Sequence, residues 1–169
     1  MSMANEARLH GVKVLVVEDD FHLAIGIEEV LRKAGAGLLG PVAHEDQALD
    51  LIAGQTPTCA IIDINLGNGA RFNVADALKA RNIPFMFMTG YDDVMIPVRF
   101  KDVGRMRKPA GFRLVVDAAV QLCSQRAADW LNDGAGLEYM AISSTGKPLA
   151  GPPTPANAST QIRWFHRSS

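Results

Sequence analysis

Val12-Lys13-Val14-Leu15-Val16-Val17-Glu18-Asp19-Asp20 sets the reading of the whole chain. Its near-continuous β-branched run is the mark of a strand covered on both faces, and the run stops on three acids. Three later stretches end in a similar way: Thr58 to Ile62 stops at Asp63, Phe85 to Met88 stops at Thr89, and a weak run from Val103 to Arg107 precedes Lys108 and Pro109. Acids, a lone carboxylate, a hydroxyl and an ammonium group therefore each close a strand.

Helical spacing fills the intervals. Leu23, Ile27, Val30, Leu31 and Ala34 recur as one face, with Asp19 or Asp20 available as N-cap and Gly35 placed to stop the helix. Ala48, Leu49 and Ile52 mark a helix over Glu45 to Ala53, and Val74, Ala77 and Leu78 mark one from about Phe72 to Ala80, after the glycine-rich loop Leu66 to Ala70. Phe112, Val115, Val116, Ala119, Val120 and Cys123 give the clearest apolar face of all. Leu38 to Val42, broken by Gly40-Pro41, reads as an edge strand because proline cannot donate to a central ladder. Strands alternating with helices through short links require parallel pairing and right-handed crossovers, hence a doubly wound α/β sheet. In such sheets the ligand crevice lies outside the carboxyl ends of the strands, which is where the four chemical groups would meet.

The order acid pair, Asp, Thr, Lys resembles the receiver domain of bacterial response regulators, over residues from about 10 to about 126. Pro84-Phe85-Met86-Phe87-Met88-Thr89-Gly90-Tyr91 further resembles the Phe-x-Thr-Gly-Tyr signature of the FAT GUY subfamily of single-domain receivers. The resemblance implies a flavodoxin-like five-stranded sheet of order 2-1-3-4-5. A fourth helix stands between Tyr91 and Lys101 in ordinary receivers, but Pro97 forbids a clean helical interior and disfavours the helical conformation at Ile96, so a short, frayed segment is expected.

Three carboxylates at close range repel, so Glu18, Asp19 and Asp63 make sense together only around a shared cation or proton. Magnesium, a hard ion that takes oxygen ligands and bridges to phosphate, is the natural candidate. The resemblance implies that Asp19 and Asp63 ligate Mg2+ directly, that the backbone carbonyl of Asn65 adds a third oxygen, and that Glu18 acts through water or as a weaker ligand. It also implies that Asp63 is the phosphoacceptor, that the Thr89 hydroxyl and the Lys108 ammonium each meet a phosphoryl oxygen, and that the Lys108-Pro109 bond is cis. Gly90 leaves room beside the phosphate. Ordinary receivers carry a switch aromatic near strand five, a position that Arg105 takes here; the resemblance points to Tyr91 as its substitute, and a plain packing aromatic is the alternative reading of Tyr91. Taken singly, each group has an ordinary structural reading: acids cap helices, Asp and Thr-Gly make turns, and lysines are solvated. The joint arrangement, with every group in order and at a strand end, carries the inference.

The expected function is thus a phosphoacceptor in two-component signalling, charged by a sensor histidine kinase or phosphotransfer protein, with a downstream protein target or a second copy of the chain as further partner. An aspartyl-phosphate phosphatase of the haloacid dehalogenase type is the enzymatic alternative. That chemistry needs a general acid two residues after the nucleophile, where Asn65 stands. The same substitution counts against a topoisomerase-primase metal site. A receiver-like binding module that never meets phosphate is the third reading, and retention of the whole constellation argues against it.

Composition sets the remaining bounds. The 169 residues fit one domain plus an appendage, and 17 Lys and Arg against 18 Asp and Glu give no global field for nucleic acid or an anionic membrane. Met1 to His10 is polar, without the pattern of a secretory signal, and no apolar run approaches the ~20 residues of a span, so a cytoplasmic protein is expected. Cys59 and Cys123 sit in separate apolar contexts and read as buried reduced thiols. His10, His22, His44 and His166 lack metal or catalytic spacing, although His22 follows the acids closely. Arg99, Lys101, Arg105, Arg107 and Arg113 form a local basic run suited to a partner face or to solvent. From 127 to 169 the chain turns rich in Gly, Pro, Ser and Thr and is expected to be a largely disordered tail, too short and irregular for a DNA-binding output module. Its Arg163-Trp164-Phe165-His166-Arg167 stretch mixes aromatic and basic character and reads as an undirected terminus, with a docking peptide as the alternative.

Overall fold

The computed structural model describes residues 8–67, 69–90, 96–108, 110–132 and 162–163, with side chains described as far as residue 125. Five parallel strands, β1 (Lys13–Val17), β2 (Gly37–Val42), β3 (Cys59–Asp63), β4 (Phe85–Thr89) and β5 (Gly104–Arg107), lie in the order β2-β1-β3-β4-β5. A two-residue strand, β6 (Ile162–Arg163), joins the β5 edge antiparallel, pairing Arg105 with Arg163 and Met106 with Ile162. The doubly wound sheet of order 2-1-3-4-5 is therefore the observed architecture.

Among the described residues four α-helices cover it: α1 (Phe21–Lys33), α2 (Glu45–Gly54), α3 (Asn73–Ala80) and α4 (Phe112–Asn132). Asp20 caps α1, its side chain accepting from the Leu23 amide at 2.9 Å, and Gly35 takes φ +88° just beyond the helix. Successive strand residues point to opposite faces, which divides the core in two. Val14, Val16, Cys59, Ile61, Met86, Met88 and Met106 pack under α1 and α4. Leu15, Val17, Ala60, Ile62, Phe85 and Phe87 pack under α2 and α3.

At β2 the ladder slips by one residue, since Leu15 faces Leu39 while Val17 faces Val42. The bulge falls on Gly40, where φ is +90° and a Cβ would lie 2.7 Å from the Val16 carbonyl oxygen, so glycine alone fits. The Gly40-Pro41 peptide is cis. The expected cis bond at Lys108-Pro109 lies outside the described residues, as do Tyr91 and its role as switch aromatic.

Where a fourth helix would stand in an ordinary receiver, the described part of the segment, from Ile96, holds a single 3-10 turn at Val98–Phe100. It is well anchored. Phe100 is wholly buried against Phe72, Phe85 and Phe87, and Arg99 clamps Asp76 with two 2.9 Å hydrogen bonds. Arg99 thus belongs to the packing of this segment instead of standing free in a basic patch. The stretch expected as a tail contributes two described pieces: α4 continues to Asn132, and Ile162–Arg163 pair with the sheet. Residues 133–161 and 164–169, including most of the aromatic-basic stretch, lie outside the described residues.

Candidate phosphoryl and metal site

Parallel strands of matched length bring their carboxyl ends to one edge. Val17 faces Ile62, Asp63 faces Met88, and Thr89 faces Arg107 in the ladders. Glu18, Asp63, Thr89 and Lys108 therefore fall within one residue of the same line across β1, β3, β4 and β5. The Lys108 amide donates to the Thr89 carbonyl at 2.8 Å, which extends the β4–β5 ladder by one step and fixes the lysine's root.

Lys108 is the hub. Its Nζ donates to Glu18 Oε1 at 2.8 Å and to Asp63 Oδ2 at 2.7 Å, and it lies 2.7 Å from Glu18 Oε2. Glu18 and Asp63 are only 2 % and 6 % exposed, so each would be costly without this partner. The second Asp63 oxygen, Oδ1, accepts from the Asn65 amide at 3.0 Å, and Glu18 Oε1 also accepts from the Asp20 amide at 3.1 Å. Asp19 is more exposed. Its Oδ2 accepts from the Gly67 amide at 2.9 Å, so the loop after β3 reaches back to hold the acid after β1.

Burial pushes the Glu18 carboxyl above its ordinary value, and the bonds from Lys108 and the Asp20 amide only partly offset it. For Lys108, burial is the largest single influence and works downward. The bonds to Asp63 and Glu18 together outweigh it and raise the ammonium above the ordinary lysine value. The lysine is consequently a fixed positive charge at neutral pH.

One carboxylate oxygen from each of Glu18, Asp19 and Asp63 lies within 4.8 Å of the others. Three carboxylates face one ammonium, which reaches both oxygens of Glu18 and one of Asp63. Hard oxygen donors and an excess of negative charge fit a small divalent cation such as Mg2+. Asn65 stands beside them, in a bridge with Ala70.

All six residues singled out from sequence are at this edge, with Glu18, Asp19, Asp63 and Lys108 forming the acid-lysine cluster and Asn65 and Thr89 on its borders. Gly67 was missed as the holder of Asp19. Its signal was the glycine-rich loop, where Gly67 takes φ +70° with open space around it.

The family model for the response regulator receiver domain matches residues 14–109. Among solved structures, SdrG from Sphingomonas melonis Fr1 is 33% identical over 68% of this chain and 98% of its own, with a TM-score of 0.57. The BeF3-activated conformation of SdrG from Pseudomonas melonis Fr1 is 35% identical over 65% of this chain and 95% of its own, with a TM-score of 0.56. The response regulator PhyR from Brucella abortus shares the fold at 21% identity, covering 78% of this chain and 56% of its own, with a TM-score of 0.61. No curated protein matches the chain.

Proposed function

Because the chain belongs to the response regulator receiver domain family, we propose that it accepts a phosphoryl group on Asp63 from a phosphohistidine of a kinase or phosphotransfer protein. The observation that carries this reading is the Lys108 ammonium held at 2.7 Å from Asp63 Oδ2 and 2.8 Å from Glu18 Oε1. A cation fixed against a buried carboxylate waits where phosphoryl charge would arrive.

In the transfer, a carboxylate oxygen of Asp63 forms a bond to phosphorus as the donor's N–P bond breaks, and the released imidazole nitrogen takes up a proton. Glu18, Asp19, Asp63 and the Asn65 carbonyl would hold Mg2+, which supplies neutralising charge to the phosphoryl oxygens when bound. The Asn65 amide already orients the acceptor through Oδ1. Lys108 then exchanges its bond to Asp63 Oδ2 for one to a phosphoryl oxygen, and Thr89 donates its hydroxyl to another. Water later returns the carboxylate. The chain modifies itself and does not turn over external esters, since the amide side chain of Asn65 cannot shuttle a proton.

A protein donor is favoured over a small ester by the surface beside the acids. Phe21, directly after Asp20, is 71 % exposed, Ile25 is 46 % exposed, and Phe112 at 41 % leans its ring over Gly26 of α1. This apolar rim suits a helical partner presenting its phosphohistidine. Output is by protein contact, and membership in the FAT GUY subfamily rests on Phe87-Met88-Thr89-Gly90-Tyr91. Among the described residues no helix is long and apolar enough to cross a membrane, which accords with a cytoplasmic role.

The test is rapid intact-mass measurement near neutral pH after treatment with acetyl phosphate and Mg2+, and separately with a phosphorylated kinase. One phosphoryl group on the wild type and none on Asp63→Asn is expected. No incorporation from either donor overturns the proposal, and sustained Asp63-dependent hydrolysis of a chromogenic phosphate ester would replace it with the phosphatase reading.

A further inference from the structure

The only two cysteines of the chain, far apart in sequence, meet in the core: Cys123 Sγ on α4 lies 3.5 Å from Cys59 Sγ on β3. Both are reduced thiols, Cys59 fully buried and Cys123 partly exposed. We propose that this pair is a redox-modification site, converted by hydrogen peroxide or a related peroxide into a reversible disulfide that ties β3 to α4.

A disulfide needs the sulfurs at about 2.05 Å, so they must close by roughly 1.5 Å, a distance within reach of side-chain rotation and a small shift of α4. The Cys59 thiol also lies 4.0 Å from the Ala119 carbonyl, one turn before Cys123, so the two sulfurs share one small compartment between strand and helix. Exposure sets the order of events. Met86, Met88 and Met106 in the same layer are 0 %, 1 % and 0 % exposed, which leaves Cys123 as the described sulfur that a peroxide in solution can reach.

The Cys123 thiolate attacks a peroxide oxygen, the O–O bond breaks, and a sulfenic acid forms as one water is released. The Cys59 sulfur then attacks the sulfenic sulfur, its own proton is lost, and the hydroxyl leaves as a second water. Two thiols are oxidised by two electrons and one peroxide is reduced. A dithiol reductant reverses the change by exchange. Disulfides inside mesophilic cells are characteristically transient and redox-sensing, which is the behaviour a half-shielded pair of this kind would show. Asp63 closes the same five-residue strand, so oxidation would fix the strand that carries the carboxylate to the helix behind it. The site does not depend on phosphoryl chemistry.

The full chain is exposed to a modest excess of hydrogen peroxide, quenched by alkylation, and analysed by intact mass and by non-reducing digestion. A loss of two hydrogens, a peptide linking Cys59 to Cys123 and full reversal by dithiothreitol are expected. Cys59→Ala should accumulate sulfinic acid at Cys123, because the resolving sulfur is gone. Added oxygen at Cys123 of the wild type without the linked peptide overturns the proposal, as do disulfides formed only between molecules or resistance to peroxide under conditions that oxidise an exposed thiol. The wild-type peptide map decides the matter even if the variant folds poorly.

Discussion

The two faces of the sheet are packed with different materials. Under α1 and α4 the strands present Cys59, Met86, Met88 and Met106, flexible and polarizable side chains that fit irregular space. Under α2 and α3 they present Phe85 and Phe87, joined by Phe72 and Phe100 into a cluster with ring centres 5.5 to 6.1 Å apart. Mostly edge-to-face rings of this kind have defined geometry and add attraction beyond their buried area. The aromatic face also carries the segment before β5, whose described residues, from Ile96, form a single 3-10 turn. Rigid rings hold that turn in place: Phe100 plugs the sheet, and Arg99 lies 4.7 Å over its ring while gripping Asp76. The lesson is that an irregular segment can be held as firmly as a helix when one large side chain is locked on every side.

The contrast can be broken most directly by Phe100→Ala, which should cost about 3–5 kcal/mol in urea unfolding. A loss under about 1 kcal/mol would mean that the 3-10 turn is not an anchor. On the other face, Met86→Leu should cost less than about 1.5 kcal/mol, because a flexible core side chain accepts a volume-conserving exchange. A cost as large as that of Phe100→Ala would erase the distinction between the faces. Gly26→Ala should have the smallest effect. The new Cβ would fall 2.1 Å from the Phe112 ring tip, displacing a side chain already 41 % exposed, while helix propensity returns up to about 1 kcal/mol. Net stability should stay within about 1 kcal/mol of the wild type, and transfer from a phosphorylated kinase should slow if that rim receives the donor.

The acidic edge was legible because β-branched runs and helical stripes reveal parallel topology, and parallel topology alone sends every strand's carboxyl end the same way. That Glu18, Asp63, Thr89 and Lys108 stand on neighbouring strands came from the family resemblance, which implied the order 2-1-3-4-5. Other features were not legible, since they depend on how elements rotate against one another. The Gly67 amide on Asp19, the Phe112 ring on Gly26 and the meeting of Cys59 with Cys123 are contacts between segments whose separate patterns say nothing of each other. The end of α4 was not legible for a different reason. Ala127, Ala128 and Leu131 are good helix formers, but they adjoin a Gly-rich and Pro-rich composition that masks where the helix stops.

Local periodicity thus determined the order of strands and helices and the identity of the residues at the sheet's reactive edge, because burial imposes a repeat of two or of 3.6 along any chain that forms such a sheet. Only the folded chain decided that one ammonium bridges two buried carboxylates, that four phenylalanines meet in one cluster, and that two thiols touch. Those outcomes turn on distances of an ångström or two between separately encoded elements, and close packing, which no single element contains, fixes them.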